Sequence, residues 1–146
     1  MNIELKVDEK YIEDKIIIQA SKISEDITKA FELLKQINEE KFTVSLEDET
    51  FFVIDKDIES VYSTDKKVYV KTENNTYQSK QRLYEFEALL PKKDFIRISN
   101  SEIINLNKVQ SINTKILGSI EIKFYSGYVT YSSRRYISQI KEALNI

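Results

Sequence analysis

Two short clusters in this chain carry side chains suited to recognising another molecule. The first lies in the run from Phe95 to Asn105, FIRISNSEIIN, where Arg97 precedes the loop formers Ser99, Asn100 and Ser101. The second is Ser132-Ser133-Arg134-Arg135. A guanidinium and a carboxamide are the groups best shaped to read guanine and adenine edges, because each can make two hydrogen bonds to one base. Short Ser and Asn side chains compete with the backbone for hydrogen bonds and so favour loops, which can present such groups outward. Equipment for catalysis is missing. With Cys 0 and His 0, thiolate zinc sites, His-backed nucleophiles and disulfides are all excluded. No enzyme activity, cofactor, metal site or small-molecule substrate is expected.

The elements that must position these clusters are mostly short strands. Phe51–Ile54, Ile58–Tyr62, Val68–Lys71 and Tyr77–Ser79 are β-rich runs separated by polar turns, and Asn74-Asn75 suits a tight hairpin because Asn tolerates positive φ. A helix is expected from about Arg82 to Leu90, closed by Pro91. Strands follow at Phe95–Ile98, Lys108–Ile112, Lys115–Leu117, Ile120–Tyr125 and Tyr128–Tyr131, then an amphipathic helix from Tyr136. Gly118 and Gly127, the only two glycines, mark turns that need unusual backbone angles. Asn105, leaving a strand, reads as a side chain that satisfies backbone groups. The many tyrosines and phenylalanines sit at alternating strand positions, which favours core and sheet surface over base stacking.

Upstream, Ile3–Val7 alternates as a half-buried strand and Ile16–Ile18 could pair with it. Ile27, Ala30, Phe31, Leu34 and Ile37 then share one helical face, with Ser24 as N-cap and Glu25 and Asp26 in the first turn. This β–β–α piece is too short to fold alone and needs the rest of the chain or a partner. Glu39 to Thr50 reads as a charged connection containing one strand at Phe42–Ser45. The acidic groups Glu47-Asp48-Glu49 and Asp55, Asp57 lack the spacing of a calcium loop and read as solvated turns.

Charge divides the chain. Residues 1–65 hold 8 Lys+Arg against 17 Asp+Glu, a net of −9, and residues 66–146 hold 14 against 7, a net of +7. A polyanion would be drawn to the second part, so the overall charge of −2 does not argue against nucleic-acid binding. The first residues lack the pattern of a signal peptide and no run is long enough to span a bilayer, which makes cytoplasmic residence the expectation.

From about Thr50 onward the chain resembles a LytTR-type DNA-binding domain, a bacterial transcription-factor module. The similarity rests on an aromatic-x-Arg strand (Phe95 to Arg97), the Ser/Asn loop, an apolar-Asn-x-x-x-apolar strand around Asn105, and Ser-Arg-Arg-Tyr at Ser133–Tyr136 before a last helix. The resemblance implies a mainly β fold with short helices (α+β), built of small antiparallel sheets. It also implies that loop residues enter two successive major grooves of duplex DNA. Carried over position by position, it places base contacts at Asn100 and Arg134, with a third from the hairpin before Val68, at Lys66 or Lys67. Arg97, Ser101 and Arg135 flank these positions and are assigned to the DNA backbone.

The expected organisation is an N-terminal segment, 1–42, for dimerisation or regulation, followed by a LytTR-type domain, 50–146. The expected function is a stand-alone, sequence-specific transcriptional regulator of duplex DNA, acting as a homodimer. The resemblance extends to a membrane-protein inhibitor as a partner, since some stand-alone members are held in check in that way. The alternative is a non-catalytic protein-interaction adaptor working through its N-terminal segment.

Overall fold

The structure, a computed structural model, describes residues 1–37 and 39–146. It divides into two units, Met1–Asn38 and Glu39–Ile146.

Among its described residues, the first unit contains one regular element, helix α1 (Glu25–Ile37). Ser24 caps it as its sequence predicts: the Ile27 amide donates to Ser24 Oγ at 3.3 Å and the Thr28 amide to the Ser24 carbonyl at 3.0 Å. Glu25 and Lys29 pair one turn apart at 3.3 Å. The expected strands at Ile3–Val7 and Ile16–Ile18 do not form, so the segment is not β–β–α. The physical reason is a lack of cover. Ile3 and Leu5 are 89% and 87% exposed, and a two-stranded ribbon without a third strand or a packed helix is marginal in water. No residue of α1 is buried within this unit either.

The second unit is two antiparallel sheets. The larger takes β1 (Lys41–Leu46), β2 (Glu49–Ile54), β3 (Ile58–Thr64), β4 (Lys67–Thr72), β5 (Thr76–Ser79), β6 (Phe95–Ser99) and β7 (Glu102–Asn105), in the order β2-β1-β5-β4-β3-β7-β6. The smaller takes β8 (Val109–Asn113), β9 (Glu121–Phe124) and β10 (Val129–Tyr131), in the order β10-β9-β8. Helix α2 (Leu83–Leu89) lies between β5 and β6 in the chain, and α3 (Ile137–Leu144) ends it. The stretch read as a connection is a hairpin, with β1 paired to β2 over its full length and Phe42 stacked on Phe86 of α2 at 4.8 Å. Consequently the acidic residues from Glu39 to Asp65 belong to the sheet unit, and the charge division falls inside one domain.

Two cores flank β6 and β7. Phe42, Val44, Val61, Val70, Phe86, Leu90 and Ile103 belong to the first, and Ile98, Ile104, Ile120, Ile122, Phe124 and Ile140 to the second. Neighbouring Ile103 and Ile104 point to opposite faces, as strand geometry requires, and every residue of β7 is buried because both faces are covered. Asn105 behaves as expected, donating to the Ile58 carbonyl at 2.9 Å and accepting from the Asn107 amide at 3.0 Å.

Three further expectations are corrected. Residues 115–117 form no strand but lead into a turn. The positive-φ hairpin lies at Asp65 (φ 51) and Lys66 (φ 65) instead of at Asn74-Asn75. The Asn74-Asn75 turn is closed by the Thr72 amide donating to the Asn75 carbonyl at 2.8 Å, with Thr72 Oγ1 donating to the same oxygen at 3.2 Å. Tyr136 belongs to a 3-10 turn, Arg134–Tyr136, that leads into α3.

Candidate nucleic-acid interface

The antiparallel register brings the polar turns to one end of the larger sheet. β3 pairs with β7 through Val61↔Ile103 and Tyr62↔Glu102, and the ladder ends where the Ser63 amide donates to the Ser101 carbonyl at 2.8 Å. The β3–β4 hairpin carrying Lys66 and Lys67 is therefore a neighbour of the β6–β7 loop carrying Asn100 and Ser101. On its other side, β6 is met by the segment before α3: the Ser133 amide donates to the Ile98 carbonyl at 2.9 Å. That bond also occupies part of an otherwise open sheet edge.

The β6–β7 loop is held from within. Arg97 Nε donates to the Ser99 carbonyl at 3.0 Å and Nη2 to the Asn100 carbonyl at 2.5 Å, while Nη1 pairs with Glu87 of α2. The Ser101 amide donates to Ser99 Oγ at 3.2 Å. Arg97 is thus committed to shaping the loop, and three of its nitrogens are already used. Asn100, an exposed residue, accepts at Oδ1 from the Tyr136 hydroxyl, 3.1 Å away, a bond that does not use its Nδ2 donors. Tyr136 joins the two polar clusters. Its place at the end of the Ser-Arg-Arg-Tyr run, ahead of the apolar positions of the last helix, puts its hydroxyl within reach of the loop.

Arg134 is exposed and lies across Gly118. A Cβ built on Gly118 would come within 2.8 Å of Arg134 Nη2 and 3.2 Å of Nε, and Gly118 has φ +74. Glycine is required there both for the backbone angle and for the close approach of the guanidinium. The β8–β9 connection is fastened to the same place through buried Ser132. Ile120 N donates to Ser132 Oγ at 2.9 Å, Ser132 N donates to the Ile120 carbonyl at 2.9 Å, and Ser119 Oγ donates to the Ser132 carbonyl at 2.8 Å.

Electrostatically, this end is a set of free cations. Among the described residues, none of Lys66, Lys67, Arg134 and Arg135 is paired with a carboxylate. From Ile103 to Lys141 the one acidic residue is Glu121, and it is engaged by Lys123 at 3.4 Å and by the Tyr131 hydroxyl at 3.2 Å. Just below the loop, Glu102 is buried and satisfied. It accepts from Ser60 Oγ at 2.6 Å on the larger sheet, and from the Tyr128 hydroxyl at 2.8 Å and Thr130 Oγ1 at 2.5 Å beside the smaller one. Burial, and then the Glu102 charge, push the Tyr128 phenol far above its ordinary value, so it remains a donor. This carboxylate bolts the two sheets together beneath the exposed turns. No local sequence signal marks it, since its donors lie on elements as far apart in the chain as Ser60 and Thr130.

Residues 48–145 match the family model described as the LytTr DNA-binding domain. A LytTr DNA-binding domain from Bacillus cereus is similar in structure, with a TM-score of 0.70 and 30% sequence identity, covering 73% of this chain and 97% of that one. An uncharacterised HTH-type transcriptional regulator of Staphylococcus aureus (strain MSSA476) is 32% identical over 147 aligned positions, covering 100% of this chain and 99% of the relative. Another, from strain NCTC 8325 / PS 47, is 31% identical over the same span. Despite that label on the relatives, no helix-turn-helix occurs among the described residues, because five strands separate α1 from α2 and five more separate α2 from α3.

Proposed function

The chain belongs to the LytTr DNA-binding domain family, and on that basis we propose that it is a transcriptional regulator that reads duplex DNA with the turns at one end of its larger sheet. The observation that carries this reading is the joining of the Asn100 loop to the Arg134 turn through Tyr136, beside four unpaired cations. In the reading, Asn100 and Arg134 contact base edges in successive major grooves, and Lys66 or Lys67 supplies the third contact from the neighbouring hairpin. Ser101 and Arg135 meet phosphates. Arg97, occupied within its own loop, acts on DNA chiefly by fixing the shape that presents Asn100.

Dimerisation belongs to the N-terminal segment in this proposal. Ile27, Phe31, Leu34 and Ile37 form a stripe on α1 of which Ile27 and Leu34 are only half-buried and Phe31 and Ile37 are exposed. A second copy of the same helix is the matching surface, and pairing two chains would space two reading heads along one face of the duplex.

The test is fluorescence anisotropy of the full chain against duplex DNA from its own promoter region and a shuffled duplex, at two salt concentrations. Arg134→Ala is titrated alongside. Preference for the promoter duplex, strong weakening by salt and loss of that preference in the variant are the expected results. Binding to neither duplex by folded protein would reject the proposal and favour an adaptor working through the N-terminal segment.

A further inference from the structure

One turn beside Arg134 has a composition that its exposure does not explain. In the β8–β9 connection, the Ser119 amide donates back to the Ile116 carbonyl at 3.4 Å, and Gly118 has φ +74 in the third position of the turn. That is the pattern of a type II turn, with Leu117 at its outer corner. Polar residues and proline are the usual occupants of such a corner, yet Leu117 is 96% exposed. Single exposed apolar residues are ordinary on protein surfaces, so exposure alone says little. Leu117 stands apart on three further counts. The next residue, Gly118, is the one on which the Arg134 guanidinium rests. The turn leads directly into Ser119 and Ile120, which are fastened to Ser132, two residues before Arg134. Its surroundings in the chain carry Lys108 and Lys115 and, from Ile103 to Ile120, no acid at all.

We infer that the Ile116–Ser119 turn is a further DNA-reading element, in which Leu117 packs against the 5-methyl group of a thymine next to the base read by Arg134. The inference rests on the proposed role of Arg134. An arginine reading guanine O6 and N7 lies in the major groove, and the side chain on the adjoining turn enters the same groove. The one apolar group that base edges display there is the thymine methyl. Leucine offers no hydrogen bond, so a methyl is what it can discriminate. Fastening to Ser132 keeps the turn in register with Arg134, which lets a small apolar contact count.

The experiment uses the full chain and a duplex recovered by it from a random pool. Each thymine of that duplex is replaced in turn by deoxyuridine, which removes the 5-methyl group and nothing else. The wild-type chain, Leu117→Ala and Arg134→Ala are titrated against the whole set. One replacement, next to the position at which Arg134→Ala loses its preference, should weaken wild-type binding about fourfold, the value of one buried methyl-sized group. Leu117→Ala should lose a similar factor on the thymine duplex and be indifferent to that replacement. Leu117→Ala binding as tightly as wild type, or remaining as sensitive as wild type to every replacement, overturns the inference while leaving the role of Arg134 intact. Arg134→Ala binding like wild type removes the basis of both. Because Leu117 is almost fully exposed, its truncation leaves no cavity to unfold the domain.

Discussion

The β6–β7 loop and the β3–β4 hairpin are neighbours at one end of the same sheet, yet they are built in opposite ways. The loop is crossed by side-chain bonds: Arg97 to two carbonyls and to Glu87, Ser99 to Ser101, and Asn100 to Tyr136. The hairpin turns on backbone alone, with Asp65 at φ 51 and Lys66 at φ 65 in the mirror-image turn that suits twisted strands. Its lysines are exposed and paired with no carboxylate among the described residues. A side chain that is already oriented loses little freedom on binding and can discriminate one base from another. A free ammonium on a flexible stem attracts phosphates anywhere along the duplex. For the proposed DNA-reading role, the contrast implies a part that selects and a part that attracts.

The sharpest way to break that division is Arg97→Ala. It frees two loop carbonyls and leaves Glu87 alone, so the loop should lose the shape that presents Asn100. Affinity for the preferred duplex is expected to fall at least as far as in Asn100→Ala, by roughly 1–3 kcal/mol. The double variant Arg97→Ala with Asn100→Ala should be little worse than either single change, since both remove the same contact. Titration of the three variants checks this, and simple additivity would show instead that Arg97 meets DNA itself. Arg97→Lys should not rescue, because a single ammonium cannot serve two carbonyls and a carboxylate in the fork that a guanidinium provides.

A smaller effect is expected at Gly118. Alanine there takes on the strain of φ +74, about 1–2 kcal/mol in stability, and its Cβ displaces the Arg134 guanidinium. Denaturant unfolding should show that loss, while anisotropy should show a partial copy of Arg134→Ala. If preference for the selected duplex survives in the folded variant, the resting place of Arg134 in the free protein is irrelevant to binding.

What could be read from the sequence followed the range of the forces involved. Ser24, Asn105, Gly118 and Gly127 were legible because a cap, a turn or a strand exit is decided within a few residues. The motifs that mark the family, an Asn in a Ser/Asn loop and an Arg after two serines, were legible too. The internal bonds of Arg97 were not, because they depend on Glu87, brought near only when α2 packs. The strands expected at Ile3–Val7 and Ile16–Ile18 failed for the complementary reason: alternation reports what a strand would bury, and this unit leaves Ile3, Leu5 and Val7 almost fully exposed and none of Ile16–Ile18 buried. The β1–β2 hairpin was hidden by its charged turn, Glu47-Asp48-Glu49, although Phe42, Val44 and Val53 already carried the alternation.

Tyr136→Phe tests how much of the selectivity comes from orientation. The ring stays in the second core and only the hydroxyl that holds Asn100 Oδ1 is lost. Stability should hardly move, since both partners can turn to water. Affinity should fall by about 1 kcal/mol, the net worth of one hydrogen bond, and discrimination at the Asn100 position should relax with it. A uniform loss across all duplexes would mean that Tyr136 itself contacts the backbone.

The smallest expected effect is at the hairpin, and its form matters more than its size. Lys66→Ala and Lys67→Ala each remove one unpaired positive charge without touching a core residue or an internal bond. Each should weaken preferred and shuffled duplexes by the same factor and lower the slope of log affinity against log salt by about 1. Near 1 M salt, where the screening length is about 3 Å, variant and wild type should converge. Should one of the two lysines change which duplex is preferred, that lysine reads a base, and the hairpin belongs with the selecting part of the interface. The salt titration separates these outcomes because lost charge fades as ions screen it, whereas a lost base contact persists.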